Sequence, residues 1–138
     1  MTKRGKIWVY NPPKPPKPKV SEILKAKVAA EAAALVDTYL KPTHIKPPRK
    51  NTRWNYIVDI YIKWHRNCFY FCAKYASPGS NALSPFFETR FARMEYKEGR
   101  GRFNLSCMRH TGRWLEIYRD LSLDQCLEFV KDGGLFLP

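Results

Sequence analysis

Apolar and polar residues alternate with a period of two from residue 54 to residue 76, which predicts an antiparallel hairpin. Between Trp54 and Trp64 every even position is apolar, so these side chains are expected on one face. A two-residue turn at Arg66-Asn67 gives the apolar pairs Trp64 with Phe69, Ile62 with Phe71, Ile60 with Ala73 and Val58 with Tyr75. The opposite face then pairs Asp59 with Lys74, so one register satisfies both burial and charge.

Residues 91–108 predict a second hairpin by the same alternation. A turn at Gly99-Arg100 places glycine at the first central position, as a type II′ turn requires. This turn gives the apolar pairs Tyr96 with Phe103, Met94 with Leu105 and Ala92 with Cys107. The other face of the hairpin should carry Phe91, Arg93, Glu95, Lys97, Arg102, Asn104, Ser106 and Met108.

The third turn, around Thr111-Gly112, leaves two registers open. A two-residue loop sets Cys107 opposite Glu116, whereas a bulged three-residue loop sets it opposite Ile117. We prefer the bulged loop, because it gives Cys107 an apolar partner on the apolar face of the strand.

Apolar residues at helical spacing lie before and after the strands. Ser21 is the predicted N-cap of an alanine-rich helix that Pro42 should stop. Ser122 caps a last helix, with Gln125 in the capping-box position and Gly133 at its end. The sequence therefore predicts an α+β domain: an N-terminal helix, an antiparallel meander of about five strands and a short C-terminal helix, with the helices on one face.

Residues 1–19 differ from the rest in composition, because lysines and prolines dominate them and no acid is present. Their prolines favour extended polyproline II structure, so we expect a flexible basic arm. Within this arm, the apolar residues 7–10 are candidates for an added edge strand or for contact with a partner. Residues 20–138 are long enough to form a single α+β domain with its own core.

Positive charge is concentrated at the front of the chain. Residues 1–53 contain 13 Lys and Arg against three acids, whereas residues 54–138 contain 12 against nine. A basic extension beside a nearly neutral domain is typical of proteins that meet a polyanion. Residues 41–53 add a second basic patch, whose prolines are expected to exclude regular structure.

The four cysteines are expected to be reduced and mostly buried. No stretch is apolar enough to span a bilayer and no signal-peptide pattern occurs, which predicts a cytoplasmic protein without a membrane partner. The sequence contains neither a glycine-rich phosphate loop nor a set of residues at zinc-ligand spacing. We therefore predict no metal and no cofactor.

The polar face of the predicted sheet interleaves basic and aromatic residues. Lys63 and Arg93 alternate there with the rings of Tyr61, Tyr70 and Phe91, a pattern suited to phosphates and to stacked bases. We therefore favour a non-enzymatic nucleic-acid-binding module without strong sequence preference. Phosphate contacts are expected from Lys3, Arg4, Lys14, Lys17, Lys19, Lys46, Arg49, Lys50, Arg53, Arg93 and Arg102.

Other interpretations remain open. An ordinary solvated sheet face carries the same residue types without any ligand. A small nuclease would use Glu95 and Lys97 with Asp59 around Mg²⁺, and a toxin-like ribonuclease would use Arg109 and His110 as phosphate clamp and proton shuttle. A protein-interaction module would bind through residues 7–10 or the proline-rich leader, and free sheet edges allow a homodimer.

Several strand segments resemble an uncharacterised bacterial family, a domain of unknown function (DUF3024). The resemblance extends over residues 35–138. It rests on Ala92-Arg93-Met94-Glu95-Tyr96, Phe103-Asn104-Leu105, Gly112-Arg113-Trp114 and Tyr118. The resemblance implies a small α+β domain, and it implies no activity.

Overall fold

A computed structural model describes residues 19–97 and 101–138. Its strands are β1 (Tyr56–His65), β2 (Cys68–Ala76), β3 (Phe86–Lys97), β4 (Arg102–Met108) and β5 (Trp114–Leu121). They form one antiparallel sheet in sequence order, which confirms the predicted meander. Residues 1–18 of the predicted arm and the predicted turn at Gly99-Arg100 lie outside the described residues.

The first hairpin has the predicted register over most of its length. The pairs Trp64 with Phe69, Ile62 with Phe71, Ile60 with Ala73 and Asp59 with Lys74 are all present. A bulge between Ile57 and Asp59 then makes Ile57, not Val58, the partner of Tyr75. β1 begins only at Tyr56, so Trp54 precedes the strand and exposes 82% of its surface, although the sequence predicted it on the apolar face.

The β3–β4 register matches every predicted pair. The prediction that Phe91 faces away from the core is wrong. Phe71 pairs with Ala92 whereas the next residue, Cys72, pairs with Arg90, so Phe91 is the extra residue of a bulge. Its ring enters the core 6.1 Å from the ring of Phe71, and only 4% of its surface is exposed.

The preferred register of the third hairpin is also wrong. Cys107 pairs with Leu115, because the loop closes where the Arg109 N–H donates to the Arg113 carbonyl oxygen at 2.9 Å. Gly112 has a φ of +81° in this loop, a conformation that glycine adopts without strain. Register irregularities of the β4–β5 pair lie away from the turn, between Phe103 and Leu105 and between Leu105 and Ser106.

The N-terminal helix, α1 (Glu22–Leu35), begins at its predicted cap, where Ser21 Oγ accepts a backbone N–H. Pro42 does not stop the helical path, contrary to the prediction. A π-helical turn (Val36–Leu40) leads into a short helix, α2 (Lys41–His44), which holds the proline in its first turn. The wider π-turn accommodates the ring, and the first turn of a helix needs no N–H from proline.

The last helix, α3 (Leu123–Asp132), has the predicted capping box between Ser122 and Gln125 and ends at Gly133. α1 and α3 cover one face of the sheet, and one continuous core fills the space between the layers. Its largest fully buried side chains include Phe69, Phe71, Phe103, Leu40, Ile60, Met94 and Leu105. The opposite face, termed the outer face, carries the polar side chains of the sheet.

All four cysteines are free thiols, as predicted, and Cys72, Cys107 and Cys126 are buried. Burial raises the pKa of Cys126 to about 12, so this thiol stays protonated at neutral pH. Across residues 19–97 and 101–138, no helix is both long enough and apolar enough to cross a bilayer.

Candidate nucleic-acid interface

The outer face of the sheet carries cations on neighbouring strands. Strand parity places them there, because alternate residues of each strand point into the core. They are Lys63 on β1, Lys74 on β2, Arg90, Arg93 and Lys97 on β3, and Arg102 on β4. Glu88, Glu95 and Glu116 lie among them, so basic and acidic groups alternate across the face.

Two arginines on this face stack on aromatic rings from other strands. The guanidinium carbon of Arg90 lies 4.7 Å from the centre of the Tyr70 ring, and that of Arg93 lies 5.0 Å from the centre of a Trp114 ring. The two rings are 5.8 Å apart and join both pairs into one row, termed the arginine–aromatic row. Such stacking holds a guanidinium in place while its N–H edge can still bind another partner.

The sequence pattern identified Arg93 and Tyr70 but missed Arg90 and Trp114. Trp114 begins β5, three strands away from Tyr70 across the sheet, so no local pattern connects them. Arg90 reaches the outer face because the bulge at Phe91 shifts the alternation of β3. The bulge therefore determines which arginines share the row.

Arg93 has few polar partners. A carboxylate oxygen of Glu95 lies 3.9 Å from its Nη2, at the outer limit of an ion pair. Its Nε is buried, and it has no hydrogen-bond partner among the described residues. A guanidinium has five N–H donors, so Arg93 retains hydrogen-bonding capacity for an anion.

Two of the three rings that were predicted to stack bases at the centre of the sheet are covered. Phe91 lies in the core, and Tyr70, beneath Arg90, exposes 7% of its surface. Tyr61 is only partly buried, and desolvation, followed by the neighbouring Cys72 and Glu88, raises its pKa to about 12. The centre of the outer face therefore offers mainly guanidinium groups, and of the three predicted rings only Tyr61 stays partly exposed.

Lys97 and Arg102 lie opposite one another at the end of the β3–β4 hairpin. Lys97 Nζ is 2.8 Å from Glu95 Oε1, and Arg102 Nη1 donates to a β5 carbonyl oxygen at 3.3 Å. Arg93 pairs with Ser106, which is four residues from Arg102 and so about 13 Å along the strand. Arg93 and Arg102, both predicted ligands, thus occupy separate parts of the face.

The cations between α2 and β1 lie toward the opposite end of the sheet. Lys46, Arg49, Lys50 and Arg53 are all exposed there. Because Arg102 lies at the other end, the predicted ligands do not form one cluster, and the arginine–aromatic row lies between the two groups. Lys19 is exposed just before α1, whereas Lys3, Arg4, Lys14 and Lys17 lie outside the described residues.

The structure does not bring together the residues of the Mg²⁺-dependent alternative. Glu95 contacts Lys97 and pairs with Cys68 on β2. Asp59 pairs with Lys74, which is about 20 Å from Cys68 along the same strand. Among the residues that the structure describes, no group of three or more His, Cys, Asp and Glu could hold a metal ion.

The ribonuclease candidates Arg109 and His110 are exposed on the loop between β4 and β5. This loop lies at the other end of β4 from Arg102, so Arg109 and His110 are separated from Glu95 and Lys97. On the outer face, burial raises the pKa of the Cys68 and Cys72 thiols. Both thiols are therefore protonated at neutral pH and are poor nucleophiles.

The model of a family described as a domain of unknown function (DUF3024) matches residues 20–138. The match covers α1, all five strands and α3, and it confirms the resemblance inferred over residues 35–138. No curated protein and no solved structure matches the chain.

Proposed function

The chain belongs to the family described as a domain of unknown function (DUF3024), and from its surface we propose a non-enzymatic module that binds nucleic acid without strong sequence preference. Cations that neutralise phosphates release counterions, which supplies affinity independent of sequence. The formal net charge of +13 favours the encounter with a polyanion at long range.

The arginine–aromatic row is the observation that carries this proposal. Tyr70 and Trp114 restrict the positions of Arg90 and Arg93, so less side-chain freedom is lost when a ligand binds. Guanidinium groups bind phosphate oxygens through paired N–H bonds. Lys63, whose neighbour across the β1–β2 pair is Tyr70, places a further cation beside the row.

Fluorescence anisotropy with labelled DNA and RNA oligonucleotides of mixed sequence tests the proposal. At roughly 50 mM KCl we expect a complex at micromolar protein concentrations. The logarithm of the association constant should fall with the logarithm of the KCl concentration, with a slope of about −0.7 per neutralised phosphate on single strands. The absence of a complex, or an affinity that ignores added KCl, contradicts the proposal.

A charge-matched pair of variants locates the interface. R90Q/R93Q removes two cations from the row, and we expect affinity to fall on the order of tenfold and the salt slope to lose about one to two units. K27Q/K131Q removes two exposed cations from the helical layer and should retain wild-type affinity. Equal losses in both variants place binding elsewhere than on the outer face.

Incubation with and without Mg²⁺ separates binding from catalysis. We expect the oligonucleotides to stay intact under both conditions, because the Glu95–Lys97 pair, Asp59 and the Arg109–His110 loop are far from one another. If the wild type cleaves the oligonucleotides and E95Q or H110A does not, the protein is a nuclease and not a non-enzymatic binding module.

A further inference from the structure

An open cleft of about 950 Å³ lies at the end of the sheet where β2 leads into β3. The 77–84 segment forms one wall, Arg53 and Asn55 form another, and Phe86 and Phe87 of β3 complete the lining. A cleft of this size is in the range of sites that hold small molecules or parts of a polymer.

Aromatic rings are exposed in and beside this cleft, unlike those at the centre of the sheet. Phe86 exposes 48% of its surface and Phe87 exposes 38%. Trp54 stands between Arg53 and Asn55 in the sequence and is even more exposed, so it borders the cleft, although its own side chain does not line it. Exposed rings that are close together are unfavourable in water and indicate a binding surface.

Neighbouring side chains hold two of these rings in place. Tyr75 stacks on Phe87 with the ring centres 5.0 Å apart and the planes 3° from parallel. Lys74 Nζ lies 4.7 Å from the centre of the Phe86 ring. The cleft thus presents rings whose orientation is set before a ligand arrives, and a cation accompanies one of them.

The charges of the cleft indicate an anionic ligand with flat groups. Among the described lining residues, Arg53 is basic and none is acidic. Serine hydroxyls and asparagine amides of the lining can bond to polar edges. Unpaired nucleotides combine these features, because each has a phosphate, a flat ring and a polar base edge.

We infer that this cleft stacks unpaired bases, so that the partner is single-stranded nucleic acid. The inference rests on the proposed function and names its substrate class. β3 joins the two sites, because Phe86 begins the strand that also carries Arg90, Arg93 and Lys97. The strand is roughly 36 Å long, so a single strand following it places phosphates on the row and bases in the cleft.

The test compares single-stranded and blunt duplex oligonucleotides of equal length in the full chain. W54A/F86A should weaken single-strand binding on the order of tenfold or more, because stacking on aromatic rings is lost. Duplex binding should stay within about twofold of wild type, since its bases are already stacked. Single strands should also quench tryptophan fluorescence in the wild type and quench less in W54A.

Conservative variants separate stacking from simple apolar contact. F86Y keeps the ring and should bind single strands like the wild type, whereas F86L keeps apolar bulk and should bind as weakly as F86A. Ile23 is an exposed apolar residue on α1, away from the cleft, and I23A should have no effect on single strands. W54A alone changes an exposed side chain outside the core, so it reports on the border of the cleft even where F86A is unstable.

The outcomes distinguish the inference from the proposed function. A wild-type chain that binds neither duplex nor single strand overturns both. Two outcomes overturn only the cleft inference, provided that the wild type shows salt-dependent binding. In the first, W54A/F86A binds like the wild type; in the second, it weakens duplex and single-strand binding equally. Losses in I23A equal to those in F86L also overturn it, because they show that the loss of single-strand binding does not depend on the cleft.

Discussion

At the scale of single residues, the outer face combines fixed charges with covered rings. Tyr70 and Trp114 lie beneath guanidinium groups, and Arg90 and Arg93 provide the polar surface above them. A guanidinium is weakly hydrated and planar, so it stacks on a ring without losing its affinity for phosphate. In the proposed interface, the aromatic residues of this face therefore act on a ligand through the arginines that they position.

Replacing Trp114 by leucine tests this indirect role because it removes a ring and keeps every charge. We expect the affinity for nucleic acid to fall a few-fold, since a cation–π contact at a partly exposed site contributes about 0.5 to 1 kcal/mol. Y39L is the matched control, because Tyr39 carries Lys131 in the same way on the helical layer, with Nζ 5.1 Å from the ring centre. Anisotropy titrations should show a loss for W114L and none for Y39L.

The thiols offer a second residue-scale prediction, on their reactivity with a chromogenic disulfide at pH 8. Cys68 is partly exposed and should react first, whereas Cys72, Cys107 and Cys126 are buried and should react only as the fold opens. Burial also raises the pKa of Cys126 to about 12, which keeps it protonated at this pH. If a fast phase persists in C68S, one of the other three thiols must be accessible, which contradicts the burial of Cys72, Cys107 and Cys126.

At the scale of elements, the alternation of apolar and polar residues predicted the strand pairings that depend on residues close together in the chain. The β1–β2 and β3–β4 registers follow from alternation along two adjacent strands and from their turns. The Phe91 bulge arises in the β2–β3 pair, whose strands are joined by a longer loop, so neither strand alone indicates it. The sequence predicted that Pro42 stops the helix, because proline usually breaks a helix. The π-turn that accommodates it has no sequence signature of its own, so the error could not be detected from the sequence.

The end of α3 gives a prediction about stability. Gly133 has a φ of +80°, and a Cβ added there would lie 2.8 Å from Leu137 Cδ2. G133A should therefore lower the free energy of unfolding by about 1 to 3 kcal/mol, from backbone strain and displacement of Leu137. Gly134 also has a positive φ, +58°, but no atom lies within 4 Å of such a Cβ, so G134A should lose less. Urea unfolding of both variants measures the difference, and equal losses would rule out the Leu137 contact as its cause.

At the scale of the whole molecule, the sequence predicted the distribution of charge more accurately than the position of the cleft. Arg93 and Arg102 were identified from alternation, and the linker cations from composition. Trp54 was assigned to the buried face, and Phe86 stood outside both predicted hairpins. The cleft, which Phe86 lines and Trp54 borders, depends on how the 77–84 segment folds back toward Arg53, which only the tertiary structure shows.

The uneven charge along the chain leads to a last prediction, on the cations ahead of the domain. Substituting Lys3, Arg4, Lys6, Lys14 and Lys17 by glutamine in the full chain removes charge and leaves the described domain unaltered. We expect weaker binding and a shallower salt slope, by about 0.7 for each lost contact with a single strand, because counterion release is reduced. Single strands and duplexes should be affected alike, since phosphates carry no information about base pairing. If the variant has the same affinity and salt slope as the wild type, the folded domain binds without its basic leader. If the loss of affinity is confined to single strands, the leader takes part in the recognition of unpaired bases.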